Sequence, residues 1–280
     1  MYQIGWFSTG RGDGSKGLLK VTQDSISSGE LLANIEFIFC SRERGETEAT
    51  DQYLDMVADY KIPLASLSYQ KYKSARSMPT PNPFAPLPQW RLDYDTEVLE
   101  LLRGFHPDLC VLAGFMLIVS PEVCRKYNMI NLHPAAPDGP AGTWQEVIWQ
   151  LIEHKADYQG VKMHVVIPEL DVGPTATYCT FSLRGKPFDS YWDEIDGKSV
   201  IQVKREQGES NPLFQAIRKY GYTRELPLVV ATLKVFSQGQ VKLTDDKRVI
   251  NASGVSINGY DLTNEIDEIV EDILLKEIDI

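Results

Sequence analysis

The 280-residue sequence has few cysteines and no excess of positive charge. Lys and Arg number 28 against 39 Asp and Glu, which gives a formal net charge of −11. The chain lacks the basic field that attracts nucleic acids and anionic membranes, so we expect neither as a partner. The cysteines show no C-x-x-C spacing and no crowding, which argues against a zinc site and a disulfide scaffold. They are Cys40, Cys110, Cys124 and Cys179.

Long apolar segments are also absent. The longest apolar run, residues 109–119, is too short to span a bilayer, and the first residues lack the basic region of a secretory signal. Hydrophobic residues make up 43% of the chain and charged residues 24%, the balance of a folded globular protein. We therefore expect a soluble, cytoplasmic protein with a substantial core.

Strand-like and helix-like segments alternate along the chain. Short apolar runs typical of buried strands occur at residues 3–8, 35–40, 62–67, 109–113, 129–132, 162–167 and 175–181. Helix-like segments occur at residues 18–28, 51–60, 95–104, 143–154, 211–220 and 226–235. This order predicts an α/β fold with a doubly wound, mostly parallel sheet of the Rossmann type and a site at the carboxyl ends of the strands.

Three segments depart from this alternation. Residues 73–89 contain five prolines and are predicted to form an extended surface loop, whereas residues 183–208 are polar and predicted to be irregular. Residues 261–280 place apolar side chains on one helical face and acids opposite, which predicts an amphipathic helix. That helix either docks on its own core or contacts a second copy, so both a monomer and a homodimer are compatible with the sequence.

A glycine-rich segment follows the first predicted strand. Its G-x-G-x-x-G pattern at residues 12–17 has three interpretations. It could bind a dinucleotide, although the second strand ends in Ser41-Arg42, which would suit only NADP. It could hold a single phosphate through Gly14, Ser15 and Lys16, or it could be a turn without a ligand.

Asn131 and His133 lie two residues apart at the end of a predicted strand, so they project from the same face. An amide beside an imidazole suits a reacting carbonyl, because one stabilises an oxyanion and the other moves a proton. Asp171, in an acidic turn, could partner His133 and raise its pKa, although D-x-G-P also simply forms a turn. A structural role for His133 is the alternative, and His106, His154 and His164 are predicted to be structural or surface residues.

Several motifs together resemble the folate-dependent formyltransferases, above all the branch that acts on phosphoribosylglycinamide in purine biosynthesis. They are N-x-H-P at 131–134, L-D-x-G-P at 170–174, A-G-F-M at 113–116, G-D-G-S-K at 12–16, R-x-x-Y-D at 91–95 and R-E-L-P-L-V at 224–229. The resemblance implies one catalytic domain over residues 1–260. It also implies insertions at 73–90 and 184–210 and an acidic helical extension at 261–280.

The resemblance implies transfer of a formyl group from the co-substrate 10-formyltetrahydrofolate to the amine of phosphoribosylglycinamide, without a metal. Asn131 would polarise the formyl carbonyl, His133 would donate a proton, and Asp171 would hold His133 and raise its pKa. Arg91 would meet an anionic group of the folate or the acceptor. The folate pocket would be lined by Asn131, Met116, Leu117, Ile118 and Val119.

The resemblance also assigns the acceptor site. Gly14, Ser15 and Lys16 would bind the phosphate, and Lys219 and Tyr222 would lie in the second acceptor-binding segment. Tyr222 stands where this branch typically has Glu, and Lys16 stands where it commonly has Asn. Alternatives are transfer to another small amine such as an amino sugar nucleotide, hydrolysis of 10-formyltetrahydrofolate, or folate binding without catalysis. The acidic tail argues against methionyl-tRNA as the acceptor.

Overall fold

The computed structural model describes residues 1–81 and 85–276, with side chains up to residue 271. Residues 82–84 of the predicted proline-rich loop and 277–280 of the predicted C-terminal helix lie outside the described residues. The strands are β1 (Tyr2–Ser8), β2 (Ala33–Cys40), β3 (Leu64–Ser66), β4 (Leu109–Leu112), β5 (Met129–His133), β6 (Tyr158–Val165), β7 (Thr175–Ser182), β8 (Val241–Leu243), β9 (Val249–Asn251) and β10 (Tyr260–Asp261). The helices are α1 (Asp13–Ser27), α2 (Glu48–Asp59), α3 (Tyr69–Ala75), α4 (Gln89–Leu101), α5 (Pro121–Lys126), α6 (Trp144–Glu153), α7 (Phe188–Ile195), α8 (Val200–Glu206), α9 (Pro212–Ser237) and α10 (Thr263–Lys276).

The chain divides into two compact units. The first comprises Met1–Asn131, His164–Pro174 and Leu233–Ser256, and the second comprises Leu132–Met163, Thr175–Thr232 and Ile257–Ile280. These units are defined by compactness, so the sequence-based assignment of one catalytic domain to residues 1–260 stays a prediction.

The first unit is built on strands in the order β5-β4-β1-β2-β3. The pairs β1–β2, β1–β4, β2–β3 and β4–β5 are all parallel. β4 is buried along its whole length and β1 along most of it, as expected of parallel strands covered on both faces. The predicted mostly parallel α/β fold is confirmed.

In the second unit the strands take the order β10-β7-β6, with β10 parallel to β7. The segment predicted to be irregular, 183–208, instead forms α7 and α8, so that prediction is wrong. Phe188 and Ile195 of α7 and Val203 of α8 are buried in one core cluster with Phe214 of α9. These few apolar residues are spread among many charged ones, so the polar composition concealed their helical spacing.

Two helices begin earlier than predicted. α1 begins at Asp13 and α4 at Gln89, so residues expected in loops lie in the first turns of helices. The predicted proline-rich loop is shorter than expected, because α3 continues to Ala75. These shifts change the surroundings of the predicted phosphate-binding residues and of Arg91.

The C-terminal helix α10 docks within its own unit. Ile266 and Val270 are buried, and Asp267 Oδ1 lies 2.6 Å from Nη2 of Arg224 on α9. Ile269, another apolar residue of this helix, is 44% exposed. The buried side chains and the ion pair correspond to the predicted docked arrangement of this helix.

We expect Thr143→Ala to lower the free energy of unfolding by about 1 kcal/mol, because Thr143 caps α6. Its hydroxyl accepts from the Glu146 backbone N–H, and the Glu146 carboxylate accepts from the Thr143 N–H. Urea unfolding measures the change. Thr96→Ala, at an exposed position of α4, is the control and should not destabilise, since alanine has the higher helix propensity. Equal losses in both variants would contradict the capping role.

Candidate active site

Strand β5 places Asn131 and His133 at its carboxyl end. Asn131 pairs with Leu112 of β4 and is partly exposed, whereas His133 is buried. Because side chains alternate along a strand, the two project from the same face, as predicted. Asn131 therefore stands at the carboxyl-terminal edge of the parallel sheet, where α/β folds bind their ligands.

Two further side chains of the first unit, those of His164 and Asp171, form a chain of contacts that begins at Asn131. Nδ2 of Asn131 lies 3.3 Å from Nε2 of His164, and the same His164 nitrogen lies 3.5 Å from Oδ1 of Asp171. Nδ1 of His164 lies 3.1 Å from the carbonyl oxygen of Val165. A carbonyl oxygen can only accept a hydrogen bond, so Nδ1 of His164 is the donor in this contact.

His164 makes contacts that the sequence did not predict. It was predicted to be structural or surface-exposed, but it is 2% exposed and touches both Asn131 and Asp171. Its position on a strand directly before the acidic turn was the available signal. The role predicted for Asp171, as a partner of His133, stays a prediction.

The turn that carries Asp171 packs tightly against the end of β6. Asp171 has a φ of 56°, and the N–H of Val165 donates to the carbonyl of Pro174 at 2.8 Å. A Cβ on Gly173 would lie 1.7 Å from the carbonyl oxygen of Val165. Only glycine fits there, and this close packing fixes the position of the Asp171 carboxylate.

A buried ion pair supports the loop that was predicted to line the folate pocket. Arg91 Nη1 is hydrogen-bonded to Asp95, and Arg91 Nη2 donates to the Ile118 carbonyl at 2.7 Å. The Ser120 N–H donates to Asp95 at 2.8 Å, and the Met116 N–H donates to the Thr9 hydroxyl at 2.9 Å. The loop is therefore tied at three points along its length.

The observed contacts of Arg91 differ from the contact that the sequence predicts for it. The side chain was expected to meet an anionic group of a ligand, but Arg91 is 1% exposed and its guanidinium is held by Asp95. Because α4 begins at Gln89, Arg91 and Asp95 stand one helical turn apart on the same face. The guanidinium thus supports the loop from within the protein.

The predicted pocket-lining residues differ in accessibility. Met116 is 60% exposed, and Leu117 and Ile118 are partly exposed. Val119 is buried in the main core of the first unit, so it supports the loop and does not face solvent. Met116, Leu117 and Ile118 are therefore the side chains of this stretch that a ligand can reach.

The predicted phosphate-binding residues form the first turn of α1. Gly14 is exposed, while Ser15 is buried against Gly114, where an added Cβ would lie 2.5 Å from the serine hydroxyl. Lys16 Nζ lies 2.8 Å from Gln52 and 3.0 Å from Asp13. The backbone N–H groups of a helix start favour an anion, but the Ser15 hydroxyl faces inward.

Lys219 and Tyr222 lie on α9 in the second unit, and both are exposed. The guanidinium of Arg218 lies 4.8 Å from the Tyr222 ring centroid and 4.6 Å from that of Trp144. Arg218 also pairs with Glu225 at 2.7 Å, and burial raises the pKa of Glu225. Tyr222 thus belongs to an aromatic–cation stack that a glutamate could not form.

Residues 1–81 and 85–276 contain no group of three His, Cys, Asp or Glu side chains arranged to hold a metal ion. No helix in this part of the chain is both long and apolar enough to cross a membrane.

Comparison with known proteins gives a family match over more than half of the chain. Residues 13–179 match the family described as formyl transferase. A relative is phosphoribosylglycinamide formyltransferase of Escherichia coli, 35% identical over 83 residues that cover 29% of this chain and 38% of that enzyme. The chain thus matches less than half the length of this relative.

Two solved structures share the fold. Phosphoribosylglycinamide formyltransferase of Coxiella burnetii superimposes with a TM-score of 0.63 and 17% identity, covering 93% of this chain and 98% of that one. A formyltetrahydrofolate deformylase of Pseudomonas syringae superimposes with a TM-score of 0.59 and 17% identity, covering 89% of this chain and 65% of that one.

Proposed function

This chain belongs to the formyl transferase family, and we propose that it transfers the formyl group of 10-formyltetrahydrofolate to the amine of phosphoribosylglycinamide. The observation that carries the proposal is the contact of Asn131 with His164, which itself contacts Asp171. Together with His133 on the same strand, these side chains supply a hydrogen-bond donor and a proton-transfer group. Attack of an amine on a formyl carbon requires both of these groups.

The proposed reaction is an acyl transfer. The acceptor amine attacks the formyl carbon, a C–N bond forms, and the carbonyl oxygen becomes an oxyanion that accepts a hydrogen bond from Nδ2 of Asn131. His133 takes a proton from the attacking nitrogen and passes it to N10 of the folate, and the oxyanion re-forms the carbonyl as the C–N10 bond breaks. The products are the N-formylated acceptor and tetrahydrofolate. One oxyanion donor of this kind contributes about 3–4 kcal/mol to the transition state.

His164 and Asp171 position the amide in this scheme. Nδ2 of Asn131 carries two hydrogens, so it can donate one to His164 and the other to the substrate oxyanion. The Val165 carbonyl fixes the tautomer of His164, and the tight turn at Gly173 fixes Asp171. The donor is therefore aimed before the substrate binds, which is the condition for electrostatic catalysis.

We expect Lys16→Ala to raise the KM of the phosphorylated acceptor by about ten-fold or more with little change in kcat, because a charge-assisted hydrogen bond is lost. Steady-state kinetics with varied acceptor measure it. Lys20→Ala, one turn further along α1 and paired with Asp24, is the matched control and should leave the KM unchanged. Equal KM values for both variants and the wild type would show that Lys16 does not bind the acceptor.

Hydrolysis of 10-formyltetrahydrofolate is the second candidate. The fold shared with a formyltetrahydrofolate deformylase favours it, as does Tyr222 in place of the expected glutamate. Tetrahydrofolate release with and without phosphoribosylglycinamide separates the two. Release that depends on the acceptor supports transfer, and equal release without the acceptor shows hydrolysis. Binding of the folate without any release of tetrahydrofolate would indicate a folate-binding protein that has no catalytic activity.

A further inference from the structure

A lysine of β6 is buried and has no part in the mechanism above. Lys162 is 8% exposed, and its Nζ donates to the carbonyl of Pro137 at 3.2 Å. Burying an ammonium costs free energy unless it is paired or hydrogen-bonded. The position of this side chain therefore calls for an explanation beyond packing.

The carbonyl that Lys162 holds belongs to the turn directly after His133. A second buried side chain of β6 holds the same turn, since Gln159 Nε2 donates to the Pro134 carbonyl at 2.9 Å. Gly160 completes the contact, because a Cβ there would lie 3.1 Å from Cα of Ala136. Three neighbouring residues of β6 thus fix residues 134–137, which we call the His133 turn.

Among these residues, Lys162 contributes the charged side chain. A hydrogen bond from an ionised donor is stronger than one from a neutral donor, so the Lys162 ammonium resists displacement of the Pro137 carbonyl. The His133 turn also holds itself together, with the Ala135 N–H donating to the His133 carbonyl at 2.9 Å. Movement at Pro137 would therefore be transmitted to the backbone of His133.

We propose that Lys162 is a positioning residue for His133: it holds the turn that sets the direction of the imidazole. This inference rests on the proposed transfer reaction, in which His133 delivers a proton to the leaving nitrogen. Misplacing a catalytic group by about 1 Å can reduce a rate by about 10²-fold. Loss of the Lys162 side chain should therefore lower kcat.

The chain offers a matched control. Lys247 is partly buried, and its Nζ donates to the Tyr127 carbonyl at 2.9 Å and to Asn128 Oδ1 at 2.8 Å. Those residues precede β5, whereas the His133 turn follows it. Lys162→Met and Lys247→Met each remove an ammonium that holds a backbone carbonyl, but only Lys162→Met releases the turn next to His133.

The test compares both variants in steady-state formyl transfer. We expect Lys162→Met to lower kcat by about 10- to 100-fold with the KM of both substrates unchanged, and Lys162→Arg to restore part of the loss. Lys247→Met should keep the wild-type kcat. An unchanged kcat in Lys162→Met, or an equal fall in Lys247→Met at equal stability, would overturn the proposal.

A measurement without substrate separates this proposal from the proposed function. In protein labelled with ¹⁵N-histidine, the ring signals of His133 should shift in Lys162→Met and stay in place in Lys247→Met. Unchanged His133 signals in Lys162→Met would overturn the positioning role. If the wild type transfers no formyl group but the His133 signals shift as expected, the proposed function fails while the structural link from Lys162 to His133 stands.

Discussion

His133→Ala is expected to lower kcat for formyl transfer by about 10²- to 10⁴-fold, the usual contribution of a positioned acid–base group. The Kd for 10-formyltetrahydrofolate should stay close to the wild-type value, because the loop from Gly114 to Ser120 is held by residues remote from His133 in sequence. Stopped-flow or steady-state release of tetrahydrofolate measures the rate, and fluorescence titration measures binding.

Two further variants make this result interpretable. His106→Ala removes an exposed histidine and should keep the wild-type kcat. His133→Asn retains a polar group of similar reach in the buried position, so it separates loss of proton transfer from loss of packing. A wild-type kcat in either His133 variant would show that the proton reaches the leaving nitrogen from another group.

Arg91→Met is expected to lower the free energy of unfolding by about 3–5 kcal/mol, because it leaves the Asp95 carboxylate buried without its partner. Both side chains of this pair are almost fully buried, at 2% and 6% exposure. Urea unfolding measures the loss. The same variant should weaken folate binding, since the carbonyl of Ile118 loses its donor.

A double variant and a surface pair serve as controls. Arg91→Met combined with Asp95→Leu should recover much of the lost stability, because it removes the uncompensated charge. Arg103→Met breaks the exposed pair with Glu100 just beyond the same helix and should have little effect on stability, because water screens that pair. A loss in Arg91→Met no larger than in Arg103→Met would contradict the role of the buried pair.

The parts of the fold that were predictable are those set by local sequence. Buried parallel strands appear as short apolar runs, so β1, β2, β4 and β5 were found close to their true bounds. The common orientation of Asn131 and His133 on β5 followed from the two-residue period of a strand. These features need no knowledge of distant contacts.

The parts that were missed depend on distant contacts. α7 and α8 lie in a segment rich in charged residues, and their burial against α9 shows which residues form the apolar face. His164 gains its place at the site from a contact with Asn131, 33 residues away. The burial of Arg91 follows from pairing with Asp95 and from the loop at Ile118, which the motif alone could not show.

The fate of the formyl carbon tests the central claim most directly. Folate carrying a ¹³C-formyl group would be incubated with the protein and phosphoribosylglycinamide and followed by ¹³C NMR. The account predicts that the label appears as a formamide on the acceptor, and that this signal is lost with Asn131→Ala. Label that is released only as formate, or that stays on the folate at the rate seen without protein, would contradict it.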